Sequence, residues 1–216
     1  GQTCSAGSRL LVEHSIYETV MTRLGQAFRK LQAGPAALDL DLGPLIRRTQ
    51  QQRVQSMLAE ARATGIEVVA EGQIVDQAPS SGFYQAPVLL RDVAPVSRLA
   101  QEEVFGPVLH VATFDSDEID SVISAINTKG YGLTFGLHTR IEARVQHIVD
   151  GIHAGNIYVN RNQIGAVVGA QPFGGEGLSG TGPKAGGPHY LHRFATERVC
   201  STDTTASGGN AALMSM

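Results

Sequence analysis

The sequence predicts an α/β fold, a mostly parallel sheet covered by helices, and three observations carry that prediction. From Pro107 to Asn160, short apolar runs of strand length alternate with apolar stripes at helical spacing. Paired cap residues stand where two of those helices should start, Asp115 with Glu118 and Thr139 with Glu142. No internal repeat and no linker divides the chain, so a single α/β domain is expected.

The elements follow in order. Residues 15–32 carry Ile16, Val20, Leu24, Phe28 and Leu31, a helical stripe that ends at the stop signal Ala33-Gly34-Pro35. A second stripe, Val54, Met57, Leu58 and Ala61, ends near Gly65. Residues 66–70 read as a buried strand. Residues 83–90 are extended but contain Pro87, which predicts an edge or irregular strand. The regular alternation then gives a strand at 108–114 and a helix through Ile119, Val122, Ile123 and Ile126. A strand at 133–138, a helix through Ile141, Val145, Ile148 and Val149, and a strand at 156–160 complete it. Residues 165–188 are crowded with glycine and hold Pro172, Pro183 and Pro188, so a loop is expected whose backbone approaches something closely. The domain is expected to span 1–194. Residues 195–216 form a polar tail, strand-like from Glu197 to Thr205, that docks on a neighbouring domain or subunit.

Composition narrows the function classes. With 42% hydrophobic residues, 17% charged residues and a net charge of −3, the chain has no general attraction for nucleic acid or anionic membrane. No apolar run approaches the roughly 20 residues that span a bilayer, and no secretory pattern opens the chain. The absence of CxxC and HExxH gives a metal site no support. Two cysteines, Cys4 and Cys200, make no disulfide framework, and a cytoplasmic location is expected. The opening residues read as the interior of a longer protein.

Cys4 lies among Gln2, Thr3 and Ser5, ahead of the first helical stripe, on a loop or a short helical turn. Its surroundings suit a nucleophile and a small inert thiol equally. The stretch "QEEVFGPV" puts two glutamates and an aromatic just before a strand, where a solvated turn is the plainer reading. Gly175, Gly177 and Gly180 match G-x-G-x-x-G, but no strand leads into them and no helix follows, so they are not a dinucleotide fingerprint. His110 and His138 fall on strands and suit structural roles. His189 and His192 follow the glycine loop, and nothing pairs them with Cys4.

Taken together, "GQTCSAGSRLLV", "LDLGPLI", "QEEVFGPVL", "GYGLTFGLHTR", "AGNIYVN" and "PFGG" resemble, in this order, the catalytic half of the aldehyde dehydrogenase superfamily over essentially the whole chain. The stretch "GNIYVNRNQIGAVVGAQPFGGEGLSGTGPKAGGPHYL" resembles more narrowly the Δ1-pyrroline-5-carboxylate (L-glutamate γ-semialdehyde) dehydrogenase part of bacterial proline utilization A. The resemblance implies that Cys4 is the catalytic nucleophile. It implies that Glu103 and Phe105 hold the nicotinamide end of NAD, and that Ser5, Gly165, Ala166 and Phe173 hold the substrate. It implies too that the base glutamate, an oxyanion asparagine and the NAD-binding domain lie outside this chain, and that FAD belongs only to an upstream proline dehydrogenase domain. On this reading the isolated chain is inactive, and its parent is a homo-oligomer that can associate peripherally with the membrane. Two other readings stay open: an aldehyde dehydrogenase of another substrate, and a non-catalytic assembly domain of the same fold.

Overall fold

Strand β1 (Arg9–Glu13) opens the chain's regular structure, and a single 3-10 turn, His14–Ile16, leads into helix α1 (Tyr17–Phe28). In the computed structural model, which describes residues 1–203, β2 (Gln32–Ala33), α2 (Arg48–Ala63), β3 (Glu67–Glu71), β4 (Gln73–Ile74) and β5 (Val88–Arg91) follow. The short helix α3 (Arg98–Gln101), β6 (Val108–Phe114), α4 (Ile119–Asn127), β7 (Tyr131–Gly132), β8 (Thr134–Leu137), α5 (Glu142–Gly151), β9 (Asn156–Val159) and β10 (Glu176–Gly177) complete the order.

The main sheet runs β1-β6-β5-β3, with β1, β6 and β5 parallel and β3 antiparallel at the edge. Alternation along the strands sends side chains to two cores. Val88, Leu90 and Val108 pack with Val54, Met57, Leu58 and Ala61 of α2 on one face. Leu89 and Val111 pack with Tyr17 and Met21 of α1 on the other. The expected sheet with helices on both faces is therefore present.

Four local expectations are corrected. The strand near Pro87 is not at an edge. It starts one residue later, and Val88, Leu89 and Leu90 are fully buried. Pro87 never has to donate, because the ladder begins with the Val88 amide on the Pro107 carbonyl (2.9 Å), while the Pro87 carbonyl accepts from Gly72 (2.9 Å). The edge falls instead to β3, where only Ala70 is buried and both terminal glutamates face water. Strand β1 was not anticipated, since Leu10-Leu11-Val12 is short and shows no alternation. The first helix starts later than its stripe, with Ile16 half-exposed on the 3-10 turn and Tyr17 and Met21 buried in its place.

The later βαβ rhythm closes as a separate two-stranded parallel sheet, β8 with β9 joined by α5, rather than extending the main one. The cap pairs form only in part. The Asp115 amide reaches the Glu118 carboxylate (3.4 Å), but at the other helix Oγ1 of Thr139 accepts from Ile141 (3.2 Å). The Thr139 amide is taken by Asn160 Oδ1 (2.9 Å) instead of Glu142. Residues 195–203 are exposed and join no strand among the described residues, and the remainder of the tail lies outside them.

Candidate active site

The site is assembled from three backbone loops held together by side-chain amides. The first is a tight turn, closed by the Ala6 amide on the Thr3 carbonyl (3.0 Å), that leads into β1. It leaves Cys4 exposed and Ser5 buried. No helix starts at Cys4, so the local backbone is a turn rather than a helix N-terminus. Two contacts fix this segment. Oε1 of Gln2 accepts from the Ile46 amide (2.8 Å), next to Leu45 in the core. The backbone of Gly1 runs so close to the "FGP" turn that a Cβ there would lie 2.0 Å from the Gly106 carbonyl oxygen.

The second loop carries the two glutamates. Glu102 is taken up by Arg98 (3.1 Å) and Arg53 (3.5 Å). Glu103 is exposed and within electrostatic reach of Arg9 at the exposed start of β1, and its charge favours the guanidinium there. Phe105 is half-buried and has φ of 53°, a left-handed conformation that an aromatic residue rarely adopts. Two side chains of α2 hold it there. Nε2 of Gln50 donates to the carbonyls of Val104 (3.0 Å) and Phe105 (2.8 Å), and Nη1 of Arg53 donates to that of Val104 (2.8 Å). Backbone in such regions persists only where its surroundings over-determine it. The plain solvated turn is thus not what forms.

The third loop follows β9. Gln163 donates from Nε2 to the Ser5 carbonyl (3.4 Å), and Gly165 and Ala166 follow it two and three residues later in the chain. Gly165 is exposed with φ of 83°, and nothing lies within 4 Å of where a Cβ would stand. Phe173 is half-buried at the far end of the loop, and its backbone pairs with Ala185 in both directions (3.1 and 3.0 Å). Asn156 clamps that end, donating to the Pro172 carbonyl (3.0 Å) and accepting from the Gly174 amide (3.2 Å). Among the described residues no hydrogen bond ties Phe173 to the Cys4 turn. The G-x-G-x-x-G match is not a phosphate loop: Glu176 and Gly177 form β10 and pair antiparallel with β7.

Gln50, Arg53, Asn156 and Gln163 organise the site, and none was singled out from the sequence. Single polar side chains on a helix face, at a strand end or in a loop carry no periodic signal that would mark them. Beneath the site, His110 on β6 is buried between Arg9 of β1 and Leu90 of β5, and its amide donates to the Ser8 carbonyl (3.2 Å). Burial, helped by the Arg9 charge, pushes its imidazole down to about 4. This fits the expected structural role. A cavity of about 440 Å³ lies elsewhere, between the end of α2 and α3, and none of the candidate residues lines it.

The profile of the aldehyde dehydrogenase family matches residues 1–199. This chain belongs to that family. The bifunctional protein PutA of Escherichia coli strain K12 is 42% identical over 204 residues, 92% of this chain but 15% of the relative. The 1-pyrroline-5-carboxylate dehydrogenase of Bacillus subtilis strain 168 is 38% identical over 192 residues, covering 88% of this chain and 36% of that protein. The aldehyde dehydrogenase fold is also seen in solved structures. Proline utilization A of Bradyrhizobium japonicum superposes with a TM-score of 0.82 at 43% identity, over 96% of this chain and 21% of the other. An NAD⁺ complex of an aldehyde dehydrogenase from Bacillus cereus gives 0.76 at 33% identity, over 86% of this chain and 37% of that one. The chain thus spans well under half the length of these aldehyde dehydrogenases. Among the described residues no helix is long and apolar enough to cross a membrane.

Proposed function

We propose that this chain is the catalytic module of an NAD-dependent dehydrogenase that oxidises L-glutamate γ-semialdehyde, the open form of Δ1-pyrroline-5-carboxylate, to glutamate. The observation that carries the reading is the Gln163–Ser5 hydrogen bond. It ties the loop that holds an open, left-handed glycine to the turn that holds an exposed cysteine. Gly165 and Ala166 there can turn successive backbone amides toward the substrate carboxylate, and the Ser5 hydroxyl adds a donor. Phe173 flanks the aliphatic carbons. The named relative that is a 1-pyrroline-5-carboxylate dehydrogenase supports the choice of aldehyde.

The thiolate of Cys4 attacks the aldehyde carbon, forming a C–S bond as the carbonyl pair moves to oxygen. The Cys4 amide stabilises that oxyanion, with a second donor from outside this chain. The residues present suit the nicotinamide end of NAD. Glu103 is exposed while its neighbour Glu102 is occupied, so its carboxylate can accept from ribose hydroxyls, and Phe105 is held rigidly beside it. NAD, when bound, supplies the acceptor for the hydride leaving the substrate carbon. Cys4 then carries the acyl group as a thioester until a water, activated by a base outside this chain, releases the acid and restores the thiol. The isolated 216-residue chain is accordingly inactive, and the described part of the tail, residues 195–203, docks on a neighbouring domain or subunit of a cytoplasmic homo-oligomer.

The test compares aldehyde-dependent NADH formation by the full-length protein, and by its Cys4→Ala variant, with glutamate semialdehyde and with propanal. The expected result is a strong preference for the carboxylated aldehyde and loss of both activities in the variant. Equal efficiency with both aldehydes would replace this substrate by a generic one. Retained activity in the variant would remove Cys4 from the chemistry.

A further inference from the structure

We propose that Gln163 is a positioning residue that sets the separation between the thiol of Cys4 and the carboxylate loop at Gly165–Ala166, and so decides substrate length. The proposal rests on the reading of that loop given above. Three observations converge on this side chain. Its Nε2 donates to the Ser5 carbonyl, one residue after the nucleophile and two residues before Gly165 in its own loop. A Cβ on Gly7, at the exit of the same turn, would lie 3.1 Å from Gln163 Nε2. A Cβ on Gly136 of β8 would lie 2.5 Å from Gln163 Oε1.

Both glycines therefore make room for one carboxamide. Gly136 pairs in register with Tyr158 of β9, so the space that Gln163 fills is opened by the two-stranded sheet from which its loop departs. The side chain is half-buried, whereas Ile164 and Gly165, the next two residues, are exposed. The hydrogen bond thus joins the main-sheet side of the site, where the Cys4 turn feeds β1, to the β8–β9 side, where the loop begins. No other hydrogen bond among the described residues joins residues 161–170 to residues 1–8. A substrate held at both ends reads the distance between these two segments, and misplacement by about 1 Å costs on the order of a hundredfold in rate.

Two variants test this in the full-length enzyme. Gln163→Ala removes the carboxamide. Gly136→Ala keeps Gln163 but displaces its amide, because the new methyl would clash with Oε1 while standing at ordinary contact distance, 3.5 Å, from Cβ and Cδ of the same side chain. Two quantities are measured: the ratio of kcat/KM for glutamate semialdehyde over propanal, and deuterium uptake by peptides spanning 1–8, 108–114 and 161–170. Both variants should lower the ratio by roughly ten- to a hundredfold. Uptake should rise in 1–8 and 161–170 but not in β6, which a general loss of stability would also affect. Unchanged uptake in both loops overturns the tie, whatever the substrate. Raised uptake with a selective wild type and unchanged selectivity in the variants overturns the positioning role. A wild type with no selectivity refutes the proposed substrate instead, and the tie then stands or falls on the exchange data alone.

Discussion

Lowering the pH from 7 to 5 should loosen the main sheet through His110. The imidazole is 6% exposed, on the strand that forms hydrogen bonds with both β1 and β5, and Arg9 lies opposite it in register. Its folded-state value is about 4, against an ordinary 6.5. Above 6.5 both folded and unfolded chains hold it neutral, and the stabilisation is fully present. As pH falls below 6.5 the unfolded chain takes up a proton that the fold refuses, so stability is lost progressively until about pH 4, where the folded form titrates as well. At about 1.4 kcal/mol per unit, the full loss is on the order of 3 kcal/mol, and roughly 2 kcal/mol of it falls between pH 7 and 5. Amide exchange of residues 108–114 reads this directly, because protection of a central strand tracks the opening of its sheet. The protection factor of the wild type should drop about twentyfold more between pH 7 and 5 than that of His110→Gln, which cannot titrate there. Carboxylates that protonate in the same interval are common to both proteins and cancel. Identical pH dependence in the two would refute the assignment of a neutral, buried imidazole.

Three other outcomes are expected in the full-length enzyme. Ser5→Ala should raise KM for glutamate semialdehyde about tenfold or more, since a hydrogen bond to a charged group is worth roughly 1.5–3 kcal/mol, and should leave propanal kinetics near their original values. Gln50→Ala frees the Val104 and Phe105 carbonyls and relaxes the φ of 53° at Phe105. With two hydrogen bonds lost at about 1 kcal/mol each, KM for NAD should rise by roughly ten- to thirtyfold while Tm moves by only a few degrees. Cys200→Ala should change the midpoint of thermal unfolding and aldehyde oxidation very little, because Cys200 is exposed and its sulfur makes a long contact, 4.0 Å, with the Thr202 hydroxyl. A loss comparable to that of Cys4→Ala would mean the nucleophile has been misassigned.

Read alone, the residues reveal the layers and the chemistry-bearing positions. Val54, Met57, Leu58 and Ala61 recur at helical spacing and all four are buried on α2. The loss of periodicity after Asn160 marks the glycine loop, and the ordered motifs identify the family. These features are local, so a short window contains them. Which strand is central and which is at the edge is not local. Pro87 weakens the strand signal beside it, yet β5 lies inside the sheet because its ladder begins one residue later, on a carbonyl 19 residues away at Pro107. The support of the site is equally invisible in sequence. Gln50 reaches Phe105 across 55 residues, and Gln163 reaches Ser5 across 158. A carboxamide has the same composition and the same weak helical preference wherever it stands. Only folding decides which carbonyl it meets, because the partner is supplied by a distant segment whose position depends on the packing of the whole sheet.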